Sequence, residues 1–215
     1  MEGNAVMNLS KRFLRQPWAL LLTIIIILIL TALGPVEKTL GANLRLVLLH
    51  GAWVWAGKLA FGLAALGGAA ALLWRKRTFW QAFNRAAAYV GMTFWLTYLP
   101  MSLAVMQINW GGFFFDEPRW RVPFLFGVIA VLLQVGLWLF NTPMLTAGGN
   151  LVYGVALWVS LGSIQNILHP DAPVAQSNSG NIQGYFVLLP ILALIFGLQL
   201  GLWLFETFQN KQVTA

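Results

Sequence analysis

The chain has no cysteine, and charged residues make up only 9% of its 215 residues. Without cysteine it can form no disulfide, no thiolate metal site and no covalent attachment to a c-type haem, so any metal must use other ligands. The low charge accompanies 59% hydrophobic residues and a mean hydropathy of +0.74. This composition is too apolar for an ordinary water-soluble domain and predicts an integral membrane protein.

Recognisable catalytic motifs are missing as well. The sequence contains no glycine-rich phosphate-binding loop, no histidine-glutamate zinc motif and no plausible Ser-His-Asp set. We therefore predict that the protein is not an enzyme. A net charge of +7 favours nucleic acid as a partner in a soluble protein, but here the basic residues flank apolar segments. They fit membrane topology and anionic lipid better, so the lipid bilayer is the predicted partner and nucleic acid is not.

Six apolar segments are long enough to cross a bilayer, which needs roughly 20 apolar residues per helix. The first, WALLLTIIIILILTAL, follows basic residues as a signal peptide does. It is long, however, and no small-x-small cleavage site follows it, so we interpret it as a retained helix. The chain is thus predicted to be a single all-α transmembrane domain over residues 1–215 with six transmembrane helices. They are expected near 17–33, 46–74, 86–107, 122–140, 150–168 and 184–205.

The basic residues predict the orientation of this domain. Eight lie in the N-terminal segment, the second connection and the C-terminal tail, whereas four lie in the loops on the opposite side. Because cytoplasmic loops carry the excess of lysine and arginine, both termini are predicted to be cytoplasmic, in a bacterial inner membrane. The outer side then carries the loops 34–45, 108–121 and 169–183, the last of which is polar.

The only two histidines fall at this outer surface. His50 opens the second predicted helix in LRLVLLHGAWVW, and His169 closes the fifth in IQNILHPDAP. A polar cap at the membrane interface is one interpretation of both residues. A shared binding site on the outer side is the other.

The outer loop between the histidines reads NWGGFFFDEPRWR, which combines aromatic side chains with charge. An aromatic belt at the membrane interface is one explanation, because tryptophan and tyrosine favour the headgroup region. Phenylalanine has no polar group for that region, so three in a row require another apolar surface. Haem, neighbouring helices or a partner subunit would each provide it.

These features together resemble the cytochrome c maturation protein C family, six-helix haem-handling membrane proteins with a tryptophan-rich WWD signature. The segments LGPVEKTLGANLRLVLLHGAWVW, WGGFFFDEPRWR and NILHPDAP resemble the family's first histidine region, its signature and its second histidine region. The signature reads roughly Trp-Gly-x-Trp-Trp-x-Trp-Asp-x-Arg. Here phenylalanines replace the inner tryptophans, and the aspartate stands one residue early.

The resemblance implies that haem is held non-covalently at the outer face for cytochrome c assembly, with His50 and His169 as the axial ligands of the iron. A porphyrin has a wide apolar face and two propionates at one edge. Aromatic residues of the loop would cover the face, while Arg119 or Arg121 would meet a propionate. The implied partners are other membrane subunits or a haem acceptor or chaperone. The aromatic strip itself would consist of Trp110, Gly111, Phe113, Phe114, Phe115 and Asp116.

The sequence leaves two alternatives to a haem-handling function open. In the first, the protein is a subunit of a larger membrane electron-transfer complex in which the histidines hold a permanent haem or chlorin pigment. In the second, it is a cofactor-free structural subunit whose FFF segment docks against another protein. Release of haem to an acceptor would distinguish a chaperone from a redox subunit.

Lys58 is a further residue of interest within the second apolar segment. It follows His50 by eight positions, on nearly the same helical face and roughly 12 Å deeper at 1.5 Å per residue. Because a charge at this depth is costly, the side chain should face protein, water or a ligand rather than lipid. The alternative is a neutral lysine bonded to the backbone or to a glutamine.

Overall fold

The computed structural model describes residues 16–164 and 177–213, with side chains as far as residue 210. In these ranges the regular structure is helical, apart from one isolated bridge between Glu37 and Gly41. The predicted all-α fold is thereby confirmed for the described residues. The helices are α1 (Pro17–Ala32), α2 (Leu44–Leu73), α3 (Thr78–Trp110), α4 (Pro118–Phe140), α5 (Pro143–Gly162) and α6 (Gly180–Val213).

Five of these helices, α2 to α6, are long and apolar enough to cross a membrane. Helix α1 has 16 residues, or roughly 24 Å, which is shorter than a hydrocarbon core of about 30 Å. The fold is therefore that of an all-helical integral membrane protein with five helices of spanning length. A sixth crossing by α1 and the cytoplasmic position of both termini stay predictions.

Two helices begin earlier than their apolar segments predicted. Helix α3 begins at Thr78 rather than near residue 86, and α5 begins at Pro143 rather than near residue 150. Proline at the first helical position explains the start of α5, because its fixed φ suits the first turn and its missing N–H is not needed there. The predicted loop over 108–121 shortens to residues 111–117, since α3 continues to Trp110 and α4 begins at Pro118.

Helix α2 lies at the centre of the bundle, where it packs against α3, α5 and α6. Small residues allow the closest of these contacts. A Cβ atom added at Gly154 of α5 would stand 2.7 Å from the carbonyl oxygen of Phe61 in α2. Such close approach through small residues is the usual way in which helices associate within membranes. It brings the outer part of α5, including Trp158, directly against α2.

Below this contact, a chain of buried amides joins four helices. Asn84 Nδ2 of α3 donates to the carbonyl oxygen of Ala64 in α2 at 2.6 Å, and Asn150 Nδ2 of α5 donates to Asn84 Oδ1 at 2.8 Å. Gln134 Nε2 of α4 completes the chain by donating to Asn150 Oδ1 at 2.7 Å. All three side chains are buried. Because an unpaired polar group is costly away from water, these bonds fix the relative positions of the four helices.

Candidate functional site

A cavity of about 520 Å³ lies between the helices at the end where α2 begins and α3 ends. This end is called the outer end, after the predicted topology, and the space is called the outer cavity. Its volume falls within the roughly 300–1,000 Å³ that is typical of small-molecule sites. The polar and aromatic residues of its wall include His50, Trp55 and Lys58 from α2, Tyr98, Ser102, Asn109 and Trp110 from α3, and Glu117, Arg119 and Trp120 at the start of α4.

His50 forms part of the cavity wall, in the second turn of α2. Its ring packs against Tyr98, with 5.0 Å between the ring centroids and an interplanar angle of 38°. Tyr98 is itself buried on α3. The imidazole is therefore held by two packed helices rather than by a loop, which is the kind of support that a ligand-binding group requires.

A short turn brings Trp110 and Arg119 to the same cavity. Gly111 ends α3 with a φ of +72°, a left-handed conformation that glycine adopts without steric cost. Seven residues later, Pro118 begins α4. Because the chain reverses over so few residues, the last residue of α3 and the first turn of α4 both line the outer cavity.

The three phenylalanines of the same turn lie outside the cavity. Phe113, Phe114 and Phe115 are 54%, 41% and 57% exposed. The rings of Phe113 and Phe115 stack on each other at 6.0 Å, while Phe114 contacts the indole of Trp110 edge-on at 5.9 Å. The predicted aromatic strip is therefore not one continuous surface in front of His50.

A second, more open space adjoins the outer ends of α3 and α4. It has a volume of about 740 Å³ and is mostly apolar. Phe115, Asp116 and Arg121 line it, and Trp120 lines both this groove and the outer cavity. Residues that were predicted to act together are thus divided between two places on the molecule.

The predicted site residues divide among the outer cavity, the groove and positions outside both. His169 lies outside the described residues, so its pairing with His50 stays a prediction. His50, Trp110 and Arg119 line the outer cavity, whereas Phe115, Asp116 and Arg121 line the groove. Gly111, Phe113 and Phe114 line neither.

Glu117 is a cavity residue that the sequence interpretation missed. Its side chain is only 3% exposed and faces the outer cavity, whereas Asp116 faces the groove. Its spacing from Trp110 and Arg119 could have identified it. Glu117 stands seven residues after Trp110 and two before Arg119, which is where the WWD signature has its aspartate.

The surroundings of Lys58 were also not predicted. Lys58 Nζ lies over the ring of Trp55 at 4.4 Å and over the ring of Trp158 at 4.8 Å. Trp158 Nε1 donates a hydrogen bond to the carbonyl oxygen of Lys58 at 3.0 Å. The cation–π pair with Trp158 joins residues 100 positions apart, so no local pattern could reveal it.

Fold and cavity together define the class of the molecule as an α-helical integral membrane protein with a small-molecule-sized cavity at one end. Comparison of the chain with family models, with curated proteins and with solved structures finds no match.

Proposed function

We propose that the protein is a membrane haem-handling protein, which holds non-covalent haem in the outer cavity and presents it for cytochrome c assembly. The observation that carries the proposal is the position of His50 in the wall of a cavity of about 520 Å³, together with Trp110 and Arg119. A neutral imidazole is a ligand of haem iron, a tryptophan covers a porphyrin face, and an arginine pairs with a propionate.

Asn109 supports the interpretation of this cavity as a ligand site. Its Nδ2 donates to the carbonyl oxygen of Val105 at 2.9 Å, while its buried Oδ1 has no hydrogen-bond partner among the described residues. A buried acceptor without a donor typically costs about 1–3 kcal/mol. Since Asn109 lines the outer cavity and ionised propionates are acceptors only, an ordered water that bridges this oxygen to the ligand would satisfy it.

In this proposal His50 is the axial ligand that the described part of the chain contributes. His169 is the proposed second ligand, on the strength of the motif resemblance alone. When bound, haem would supply an iron centre with two axial positions for neutral imidazoles. The protein's own contribution would be binding and presentation, and its partner would be a haem acceptor or chaperone at the outer face of a bacterial inner membrane.

A second candidate function follows from the exposed phenylalanines. Phe113, Phe114 and Phe115 lie outside the cavity and leave an exposed apolar surface at the outer end of the bundle. Such a surface favours contact with another protein. The chain would then be an integral subunit of a larger electron-transfer complex, with a permanent cofactor or none.

The proposed function is tested by the absorption spectrum of the purified protein after addition of haem. Wild type should bind haem with a histidine-ligated spectrum, and His50→Ala should lower the occupancy about tenfold or shift the spectrum, because an axial bond is lost. Leu63→Ala is a matched control on the same helix, since Leu63 is exposed and does not line the cavity. A wild type without tetrapyrrole, or an unchanged spectrum in His50→Ala, would contradict the proposal.

Haem transfer separates the two candidates. A handling protein should release bound haem to an acceptor apocytochrome, whereas a redox subunit should retain it. Alanine at Phe113, Phe114 and Phe115 together should slow this transfer while leaving haem occupancy within about twofold, because these rings do not line the cavity. A large fall in occupancy would show instead that they contact the haem.

A further inference from the structure

Lys58 occupies an unusual position for a charged residue. It belongs to α2, which is long and apolar enough to span a membrane, and it lines the outer cavity about two helical turns beyond His50. A charged side chain within a membrane helix is costly, and such residues typically mark a ligand or ion site. A group that compensates the positive charge is therefore expected near the ammonium of Lys58.

The contacts of the ammonium group leave that compensation incomplete. In the described part of the chain, Nζ lies over the faces of Trp55 and Trp158 and pairs with no carboxylate. An aromatic face attracts a cation, but a lysine ammonium also has three N–H donors that seek oxygen acceptors. The two indoles thus position the charge without satisfying its hydrogen-bonding capacity.

The indole of Trp158 is fixed in this position by the backbone. Its Nε1 donates to the carbonyl oxygen of Lys58 at 3.0 Å, and the close packing of Gly154 against Phe61 holds α5 against α2 one turn away. The lysine is therefore directed by a rigid aromatic support rather than free to extend towards the headgroups. This arrangement keeps the charge at the cavity.

The charges of the cavity wall indicate what Lys58 would bind. Lys58 and Arg119 both line the cavity, and their positive charges repel each other. Glu117 is the one acidic residue among the described residues of the same wall. In this described part of the wall, two cations and one acid favour a ligand that brings negative charge, and the aromatic side chains favour one with a flat apolar body.

We propose that Lys58 binds a carboxylate of the ligand, so that the outer cavity selects a flat aromatic ligand by its acid groups as well as by its metal. The inference rests on the proposed function, in which the carboxylates are the propionates of a porphyrin. It adds a specificity-determining residue that is independent of the iron ligand. Lys58 and Arg119 would together serve the two adjacent acid groups at one porphyrin edge.

Metal-free porphyrins test this inference without involving the iron. Protoporphyrin IX and its dimethyl ester share the same ring, but only the first has free carboxylates. Binding to the protein in lipid nanodiscs is measured by quenching of tryptophan fluorescence. Wild type should prefer the diacid, and Lys58→Met should weaken diacid binding roughly tenfold or more while leaving ester binding unchanged.

Three further variants make the test specific. Lys58→Arg retains the charge and should keep most of the diacid affinity. Lys38→Met removes the same charge from an exposed outer-loop residue and should have no effect. Leu63→Ala trims an exposed side chain of α2 outside the cavity and should bind the metal-free diacid as wild type does.

The outcomes distinguish the inference from the proposed function. If wild type binds the diacid and the ester equally, or if Lys58→Met binds the diacid as well as Lys38→Met does, the inference is wrong while haem binding stands. If wild type binds neither porphyrin nor haem, both are wrong. Should Lys58→Met fail to fold, as judged by circular dichroism, the diacid preference of wild type and of Lys58→Arg decides the question.

Discussion

The buried amide chain in the inner half of the helix bundle and the wall of the outer cavity differ in how their polar groups are paired. In the inner half, the amides of Asn84, Asn150 and Gln134 pair with one another and with the backbone. In the outer half, Asn109 Oδ1 has no partner among the described residues, and the ammonium of Lys58 faces aromatic rings. The first arrangement closes the bundle, whereas the second leaves incompletely paired polar side chains in the wall of a cavity. The difference supports the proposal that the outer half is the binding region.

Removal of an inner amide is expected to have the largest effect on the free energy of unfolding. Asn150→Ala leaves Asn84 Oδ1 and Gln134 Nε2 without their partners and should lower the free energy of unfolding by about 1–3 kcal/mol. Asn109→Ala removes one hydrogen bond, from Nδ2 to the carbonyl oxygen of Val105, together with an oxygen that already has no partner, and should change stability by less than about 1 kcal/mol, while weakening ligand binding. Unfolding in mixed micelles measures both. Equal losses in the two variants would contradict the distinction between the halves.

Close packing between α2 and α5 is the next feature to test. Gly154→Ala places a Cβ 2.7 Å from the carbonyl oxygen of Phe61, so the helices must separate at a cost of about 1–3 kcal/mol. The separation should also move Trp158 away from Lys58 and lower porphyrin affinity. Gly148→Ala is the matched control on α5, because an added Cβ there meets nothing within 4 Å. Similar stability and affinity in both variants would show that the contact is not tight.

A conservative substitution of Trp158 is expected to have a smaller effect than the substitution of Gly154. Trp158→Phe retains an aromatic face for Lys58 but removes the hydrogen bond from Nε1 to the Lys58 carbonyl oxygen. We expect a loss of about 0.5–1.5 kcal/mol in stability and a severalfold loss in diacid affinity. Isothermal titration with the diacid and the ester measures the second effect. A loss that is equal for the two porphyrins would contradict the role of this bond in positioning Lys58.

The smallest expected effect concerns the outer loop above the cavity. Hydrogen bonds from the backbone N–H groups of Leu40 and Thr39 lower the pKa of the Glu37 carboxyl group. A lowered pKa stabilises the turn above the unfolded value near 4.5, and the stabilisation is lost as pH falls through the folded value. Because Leu40 lines the cavity, acidification should lower ligand affinity slightly more in wild type than in Glu37→Gln, which keeps only the pH dependence of the ligand's own carboxylates. An identical pH profile in the two proteins would contradict this assignment.

Sequence reasoning reached the helices and part of the site because those features depend on local pattern. Apolar segments fix where helices form, and the parity of the spans places His50, Trp110 and Arg119 at one end, where the structure brings them into one cavity. The start of α5 differs from the prediction because its first turns, PMLTAGGN, interrupt the apolar pattern with glycine, threonine and asparagine, and Asn150 among them is buried by hydrogen bonding rather than by apolarity.

The remaining features depend on lateral packing, which no single segment contains. The direction of the phenylalanines follows from the φ of Gly111 and the start of α4 at Pro118, so the aromatic strip and the cavity separate although they share one loop. The contact of Lys58 with Trp158 depends on how α5 meets α2. Glu117 was recognisable by its spacing from Arg119, but the aspartate of the WWD signature was assigned to the adjacent Asp116 instead.

Chemical rescue of the proposed iron ligand tests the central claim most directly. His50→Gly removes the imidazole from the cavity wall and leaves space for a free imidazole molecule. If His50 ligates haem in the outer cavity, this variant should lose the wild-type haem spectrum and regain it on titration with imidazole, whereas Leu63→Gly should respond to neither change. A His50→Gly protein that keeps the wild-type haem spectrum without added imidazole would contradict the account.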